Sequence, residues 1–153
     1  MASKTYSFLD VQAAIRGPNG SFSLGNGAGV SEEGITVSMA DDKMSVLMGA
    51  DGSGMYSLHA AANGSVTVRL LKTSPVNSLL QDMYSADTAS SANAGQNTIS
   101  IRNPVSGDSI TAADCAFRKM PDVAYGKDGT MMEWAFFSLA ISAILGTGTP
   151  AAA

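Results

Sequence analysis

The residue types that most often carry out catalysis are scarce in this chain, which contains one histidine, His59, and one cysteine, Cys115. Nucleophilic catalysis needs a base beside the nucleophile, and a zinc site needs several His or Cys ligands. No second histidine is present, and no serine or cysteine near His59 lies in a nucleophile motif. We therefore expect His59 to be an exposed or lightly buried strand residue and Cys115 to be a buried apolar residue without a disulfide.

Two glycine-rich stretches also lack the features of a phosphate-binding loop. "GNGAG" (25–29) does not have the dinucleotide-binding spacing, and "GADGSG" (49–54) has no Lys-Ser/Thr pair after it. The sequence Asn-Gly-Ser at Asn19 and Asn63 indicates hairpin turns rather than glycosylation, because no export signal is present. No calcium-loop spacing joins the turn carboxylates Glu32, Glu33, Asp41, Asp42, Asp51 and Asp128. The sequence predicts no enzyme, no cofactor and no metal.

The composition indicates that part of the surface is covered by other molecules. Of the 153 residues, 45% are hydrophobic and only 14% are charged, so little charge is available to keep a free domain in solution. An ordinary domain coated with Ser, Thr, Asn and Gly stays an open alternative. The net charge of −4 argues against a protein that grips nucleic acid through its phosphates.

Neither the first residues nor the most apolar run predicts a targeting or membrane segment. "MASKTYSFLDVQ" has no apolar stretch of signal-peptide length, so we expect folding in the cytoplasm. "WAFFSLAISAILG" (134–146) is too short to span a bilayer and is interrupted by Ser138 and Ser142. We interpret this run as a buried strand, with Trp134 in the core.

Alternating apolar residues predict seven to nine strands joined by Gly, Asn and Asp turns. Residues 5–25 form a hairpin around Pro18-Asn19-Gly20, with Val11, Ala13 and Ile15 on one face and Gln12 and Arg16 on the other. Residues 35–49 form a second hairpin that turns at Asp41-Asp42, and further turns are expected at 50–54 and at Asn63-Gly64.

One segment has helical rather than strand periodicity. The apolar residues Val76, Leu79, Leu80, Met83 and Tyr84 lie on one stripe of a helix at about residues 75–85. Ser74 is suited to the N-cap and Pro75 to the first helical position, and residues 85–97 read as a loop of small residues. The predicted fold is mainly β: a β-sandwich or split barrel with one flanking helix. We expect a single domain over residues 1–146 and a flexible tail over 147–153.

Several motifs, in their order along the chain, resemble phage tail tube proteins, above all those of contractile-tailed phages. They are "GADG", the strand "GSVTVRLLKTSP", the helix "NSLLQDM" and the later stretch "FRKMPDVAYGKDGTMMEWAF". The similarity extends from about Tyr6 to Leu145, and the type VI secretion tube protein resembles the same fold more distantly.

The resemblance implies a structural protein of the virion tail that is assembled in the host cytoplasm. It implies homo-hexameric rings that stack into a hollow tube, with strands pooled between subunits into an inner barrel through which double-stranded DNA passes during infection. Tail sheath, baseplate and terminator proteins are the implied partners, without membrane insertion by this chain. On this basis we expect the hairpin of residues 35–49 to line the lumen, with Thr36, Ser38, Asp41, Asp42, Lys43 and Ser45 as candidate lumen-facing residues. The candidate inter-subunit residues are Asp51, Arg69, Asn77 and Arg102.

Other functions stay open at this point. Another tail component or a secretion-type tube subunit would share the fold. A monomeric β-sandwich binding module, for carbohydrate as one example, would use exposed aromatic residues, although Trp134 lies within the most apolar strand. An enzyme would need a constellation of residues that the sequence lacks.

Overall fold

A computed structural model of the chain describes residues 5–25, 27 and 29–147, with the side chains of 31–33 outside that description. Six of the seven residues of the predicted tail, 148–153, therefore lie outside the described residues, as do Asn26 and Ala28. A short 3-10 helix (Phe8–Asp10) precedes the first strand. The strands and the helix are β1 (Gln12–Gly17), β2 (Gly20–Ser23), β3 (Val30–Met39), β4 (Met44–Met48), β5 (Gly54–Leu58), β6 (Gly64–Leu71), α1 (Val76–Thr88), β7 (Asn97–Asn103), β8 (Asp108–Phe117) and β9 (Met131–Ile144).

Seven strands form one antiparallel sheet in the order β2-β1-β7-β8-β9-β6-β3, and β4 and β5 form a separate pair. Inward-facing residues from both halves of the large sheet, such as Ile15 and Trp134, belong to one buried core. Buried and accessible residues alternate along β6, and because successive side chains of a strand point to opposite faces, this spacing gives the strand one apolar face. The predicted mainly β fold with one flanking helix is confirmed.

The alternation of buried and accessible residues is interrupted at neighbouring positions of the long strands β8 and β9. Asp114 has a φ of 52°, in the left-handed region. Next to it, Ala112 and Cys115 are both buried although they are three residues apart. The buried Oγ of Ser138 lies 2.7 Å from the carbonyl oxygen of Ala113 and 3.1 Å from that of Ala140, so its single proton has an acceptor at this irregularity.

Helix α1 packs on the core where the chain leaves β6. Its buried residues are Val76, Leu80, Met83 and Asp87. The Oγ of Ser74 accepts a hydrogen bond from the backbone N–H of Val76 (3.2 Å), and Pro75 has helical torsion angles just before the first helical residue. The predicted helix is confirmed, with its end at Thr88 rather than at residue 85.

Two turn predictions are wrong because the strand partners differ from those expected. The chain does not return at Asp41-Asp42, since β3 pairs with β6, and β4 pairs with β5. Nor is Asn63-Gly64 a hairpin turn, since β6 lies between β3 and β9. Gly64 is required there for space, because a Cβ at this position would lie 2.3 Å from the carbonyl oxygen of Ser38.

The remaining differences concern burial. The segment 85–88 is helical rather than loop, and it includes Asp87, which is 2% exposed. Strand β9 is buried on one face only: Trp134 and Phe136 are inaccessible, whereas Phe137 and Leu139 are exposed. Among the described residues, no helix combines the length and the apolar character needed to cross a membrane.

Candidate assembly surfaces

The strands β4 and β5 form a hairpin that extends away from the core; we call residues 44–58 the arm. All of its residues except Ser57 are exposed. The cross-strand pairs Met44–Leu58 and Val46–Tyr56 place large apolar side chains opposite each other. The apolar face of the arm consists of side chains that are 46–74% exposed, namely Met44, Val46, Met48, Tyr56 and Leu58.

The opposite face of the arm is polar near its base. His59 and Ser45 lie 3.2 Å apart between Nε2 and Oγ, and the Nζ of Lys43 donates to the carbonyl oxygen of Ala61 (3.0 Å). Farther from the base, the same face carries the exposed apolar pair Leu47–Met55, so its polar character is confined to the base. The exposed position expected for His59 is confirmed.

The turn of the arm is organised by Asp51. Its carboxylate accepts hydrogen bonds from the hydroxyl (2.6 Å) and the backbone N–H (3.0 Å) of Ser53. These two bonds favour the charged form and lower the pKa of Asp51 from its ordinary value. The turn at residues 50–54 that the sequence predicts is confirmed.

A second surface lies on the outer side of β3, β6, β9 and the end of β8; we call it the Arg69 face. Cross-strand pairing aligns Ser38, Ser65, Phe137 and Ala116 in one row across the four strands. A neighbouring row joins Thr36, Thr67 and Ala135. The surface is therefore made mainly of small and hydroxyl-bearing side chains.

The arginines of the Arg69 face are engaged within the chain. Arg69 donates from Nη1 to the Oγ1 of Thr36 (2.9 Å), and its Nε lies 4.0 Å from the Oε2 of Glu133. The guanidinium of Arg118 lies over the ring of Phe137, 5.7 Å from the centroid. These contacts leave the face without a freely extended guanidinium.

The structure thus places the candidate site residues in several separate regions of the fold. Thr36, Ser38 and Arg69 lie together on the Arg69 face. Lys43 and Ser45 belong to the base of the arm, and Asp41 and Asp42 lie in the exposed segment before it. Arg102 lies on the other half of the sheet. The structure contains no second subunit, so the expected lumen and inter-subunit roles stay predictions.

Asn77 occupies a position inside the subunit fold. Its Nδ2 donates to the carbonyl oxygen of Leu71 (2.9 Å), and its Oδ1 accepts from the indole N–H of Trp134 (3.1 Å). Residues that the sequence did not single out include Val46, Tyr56 and Glu133. The period-two spacing of Met44, Val46 and Met48 is the signal for an apolar strand face at Val46, although Leu47 and Met55 interrupt the alternation.

A model of the bacteriophage PhiTE tail tube protein family matches residues 2–146. The chain belongs to this family. The resemblance to phage tail tube proteins is therefore confirmed, and this tail tube family member is a structural component of a phage tail. No match was found among curated proteins.

The fold of this tail tube family member is similar to chains of contractile injection systems at low sequence identity. One comes from the anti-feeding prophage baseplate, 6-fold symmetrised, with a TM-score of 0.59 and 13% identity, covering 94% of this chain and 97% of that one. Another comes from the sheath/tube terminator of an extracellular contractile injection system (PVC) in the extended state, with a TM-score of 0.57, 13% identity and coverage of 92% and 96%. A third comes from the tube terminating cap of the anti-feeding prophage, with a TM-score of 0.51, 9% identity and coverage of 93% and 93%.

Proposed function

We propose that this protein is the subunit of a tail tube, in which copies form hexameric rings that stack into a hollow conduit for DNA. The observation that carries the proposal is the apolar face of the arm, which no other described part of the chain covers. Family membership supports a tail tube component, and the arm supports assembly with further copies of the same chain.

The arm is poorly suited to a free monomer. An isolated two-stranded hairpin is marginally stable in water, and here its strands bear methionine, valine, leucine and tyrosine on one exposed face. Burial of apolar surface contributes about 25 cal/mol per Å², so cover by a neighbour would stabilise both the arm and the assembly. We infer that the apolar face of the arm lies against another copy in the tube.

The geometry of this contact favours an open assembly over a closed pair. An arm that projects from one subunit onto a different surface of the next makes a head-to-tail contact, which generates rings or filaments. Strand β3 adds a second contact, because it lies at the end of the seven-stranded sheet with one edge unpaired among the described strands. Pairing of such edges between neighbours would pool the sheets into one inner barrel.

We propose that the Arg69 face lines the bore of this barrel. Its residues include Thr36 and Ser38, both expected in the lumen, and its two arginines are held by neighbouring side chains. Each copy also adds a net charge of −4 to the assembly. The arginines of this wall are already in contact with side chains of their own chain, and its other polar groups are mainly hydroxyls. DNA phosphates would therefore be repelled by the wall or slide along it without being bound.

The experiment replaces two facing residues of the arm. We expect Val46→Ser together with Tyr56→Ser to abolish polymers in sedimentation velocity while the circular dichroism spectrum of the subunit is retained. The matched control is Val123→Ser with Tyr125→Ser, the same change at two exposed positions outside the arm, which should assemble as the unmodified chain does.

The outcomes separate the possible roles. Assembly of the arm variant at the concentrations that suffice for the unmodified chain would contradict the proposal. If every variant that assembles formed single rings that do not stack, the result would instead favour a terminator-type tail component.

A further inference from the structure

The half of the sheet formed by β2, β1, β7, the start of β8 and the end of β9 presents an outward surface that the proposed tube does not use. One row of cross-strand neighbours runs through Ser23, Ala14, Ser100, Thr111 and Ser142. We call this surface the hydroxyl face; its other members are Gln12, Arg16, Ser21, Thr98, Arg102, Ser109 and the exposed Ile144.

The two arginines of the hydroxyl face differ from those of the Arg69 face. Arg16 and Arg102 are exposed, and neither guanidinium makes a hydrogen bond or an ion pair with any described residue. One carboxylate lies at the border of this face: Asp114 is exposed in the irregular part of β8, across from Thr98. The cross-strand rows that define the face contain two cations and no carboxylate, although the protein as a whole is acidic.

The spacing of the two arginines matches an extended chain. Arg16 lies opposite Thr98, and Arg102 follows Thr98 by four residues along β7. Four residues of a strand span about 13 Å. An extended segment that runs along β7 would place carboxylates at its positions i and i+4 beside the two guanidiniums. Small side chains lie between them, since Ser100 is opposite Ala14.

We propose that the hydroxyl face is a docking surface for an extended acidic segment of a partner protein. Arg16 and Arg102 bind two carboxylates four residues apart, and Ser100 and Thr98 offer hydroxyl groups to the polar atoms between them. Charge complementarity favours a polypeptide over nucleic acid, because only two cations are available and the net charge of −4 repels a polyanion. This inference goes beyond the proposed function, and it rests on that function in one respect, namely that the Arg69 face and not the hydroxyl face lines the bore.

The test measures binding of a fluorescent octapeptide of alternating Glu and Thr to the full chain at low salt. In extended form this peptide carries all its glutamates on one side. We expect Arg16→Gln with Arg102→Gln to weaken binding about tenfold, and added salt to weaken binding to the unmodified chain. The matched control, Lys119→Gln with Lys127→Gln, removes the same charge from exposed positions elsewhere and should change binding less than about twofold.

Three results would overturn the proposal. The first is equal binding of the peptide by the Arg16/Arg102 variant and the unmodified chain. The second is tighter binding of duplex DNA than of the peptide at equal probe charge, which would make the face a nucleic-acid surface. The third is loss of polymers in the Arg16/Arg102 variant by sedimentation, which would place the face between copies of this chain. Absence of polymers in the unmodified chain, by contrast, would contradict only the tail tube proposal.

Discussion

The indole nitrogen of Trp134 donates a hydrogen bond to the Oδ1 of Asn77 over 3.1 Å. This bond joins the first part of β9 to the first turn of α1, and the same asparagine also donates to the carbonyl oxygen of Leu71 at the end of β6. The side-chain amide of Asn77 therefore connects β6, β9 and α1 at the point where the chain passes from β6 to α1.

Replacement of Asn77 by alanine should destabilise the subunit. It leaves the N–H of the inaccessible Trp134 without its acceptor, and such a loss costs about 1–3 kcal/mol. Urea unfolding in the non-assembling Val46→Ser/Tyr56→Ser background measures this loss of unfolding free energy. Ser78→Ala, at the exposed neighbouring position, is the control and should change the free energy of unfolding by less than about 0.5 kcal/mol. Equal effects of the two changes would contradict this role of Asn77.

Asp87 anchors the end of α1 to two other elements. Its carboxyl oxygens accept hydrogen bonds from the side-chain amides of Asn19, in the β1–β2 turn, and Asn97, at the start of β7. Asp87→Ala should lower the free energy of unfolding by about 2–4 kcal/mol, because the buried Asn97 amide loses its partner. Asp82→Ala, at an exposed position of the same helix, should have little effect. If thermal unfolding gives the same midpoint for both variants, the anchor is not important for stability.

Gly64 is expected to tolerate no side chain. A Cβ there would lie 2.3 Å from the carbonyl oxygen of Ser38 and 2.7 Å from the Cδ1 of Ile141, so β3 and β6 would have to separate. We expect Gly64→Ala to cost about 1–3 kcal/mol or more in chemical denaturation. Gly129→Ala, where no heavy atom lies within 4 Å, should be nearly neutral. A stable Gly64→Ala variant would show that the two strands are less tightly apposed.

Cys115 should be protected from thiol reagents in the folded subunit. Burial of its thiol, which is the largest influence, raises the pKa above the ordinary value. The folded state therefore keeps the thiol protonated where the unfolded chain ionises, so stability falls as pH rises above the pKa of the unfolded thiol. We expect slow modification by a disulfide reagent at pH 8 in buffer and fast modification in urea. Equal rates in the two conditions would contradict the buried placement.

The sequence predicts those features that depend on local periodicity. The strand alternation of Ala13 and Ile15, and the helical spacing from Val76 to Met83, each identify an element and its buried face. The signals at Ser74 and Pro75 identify where α1 begins, because capping is decided by adjacent residues.

Features that depend on distant partners could not be predicted in the same way. The pattern of Met44, Val46 and Met48 is the same whether the apolar face packs on its own core or on a neighbouring subunit. The sequence therefore predicts that β4 pairs with β3 in one hairpin, whereas in the structure β4 pairs with β5 to form the arm. Asn63-Gly64 has the composition of a turn, but contact with Ser38 and Ile141 is the reason for its glycine. Asp87 resembled a loop residue because its two amide partners lie 68 and 10 residues away.

Electron microscopy of the purified full-length chain over a range of concentrations tests the central claim most directly. Copies that cover each other's arms should give hollow rings at low concentration and stacked tubes with an open central channel at high concentration. Compact monomers at every concentration, with no rings or tubes, would contradict the account.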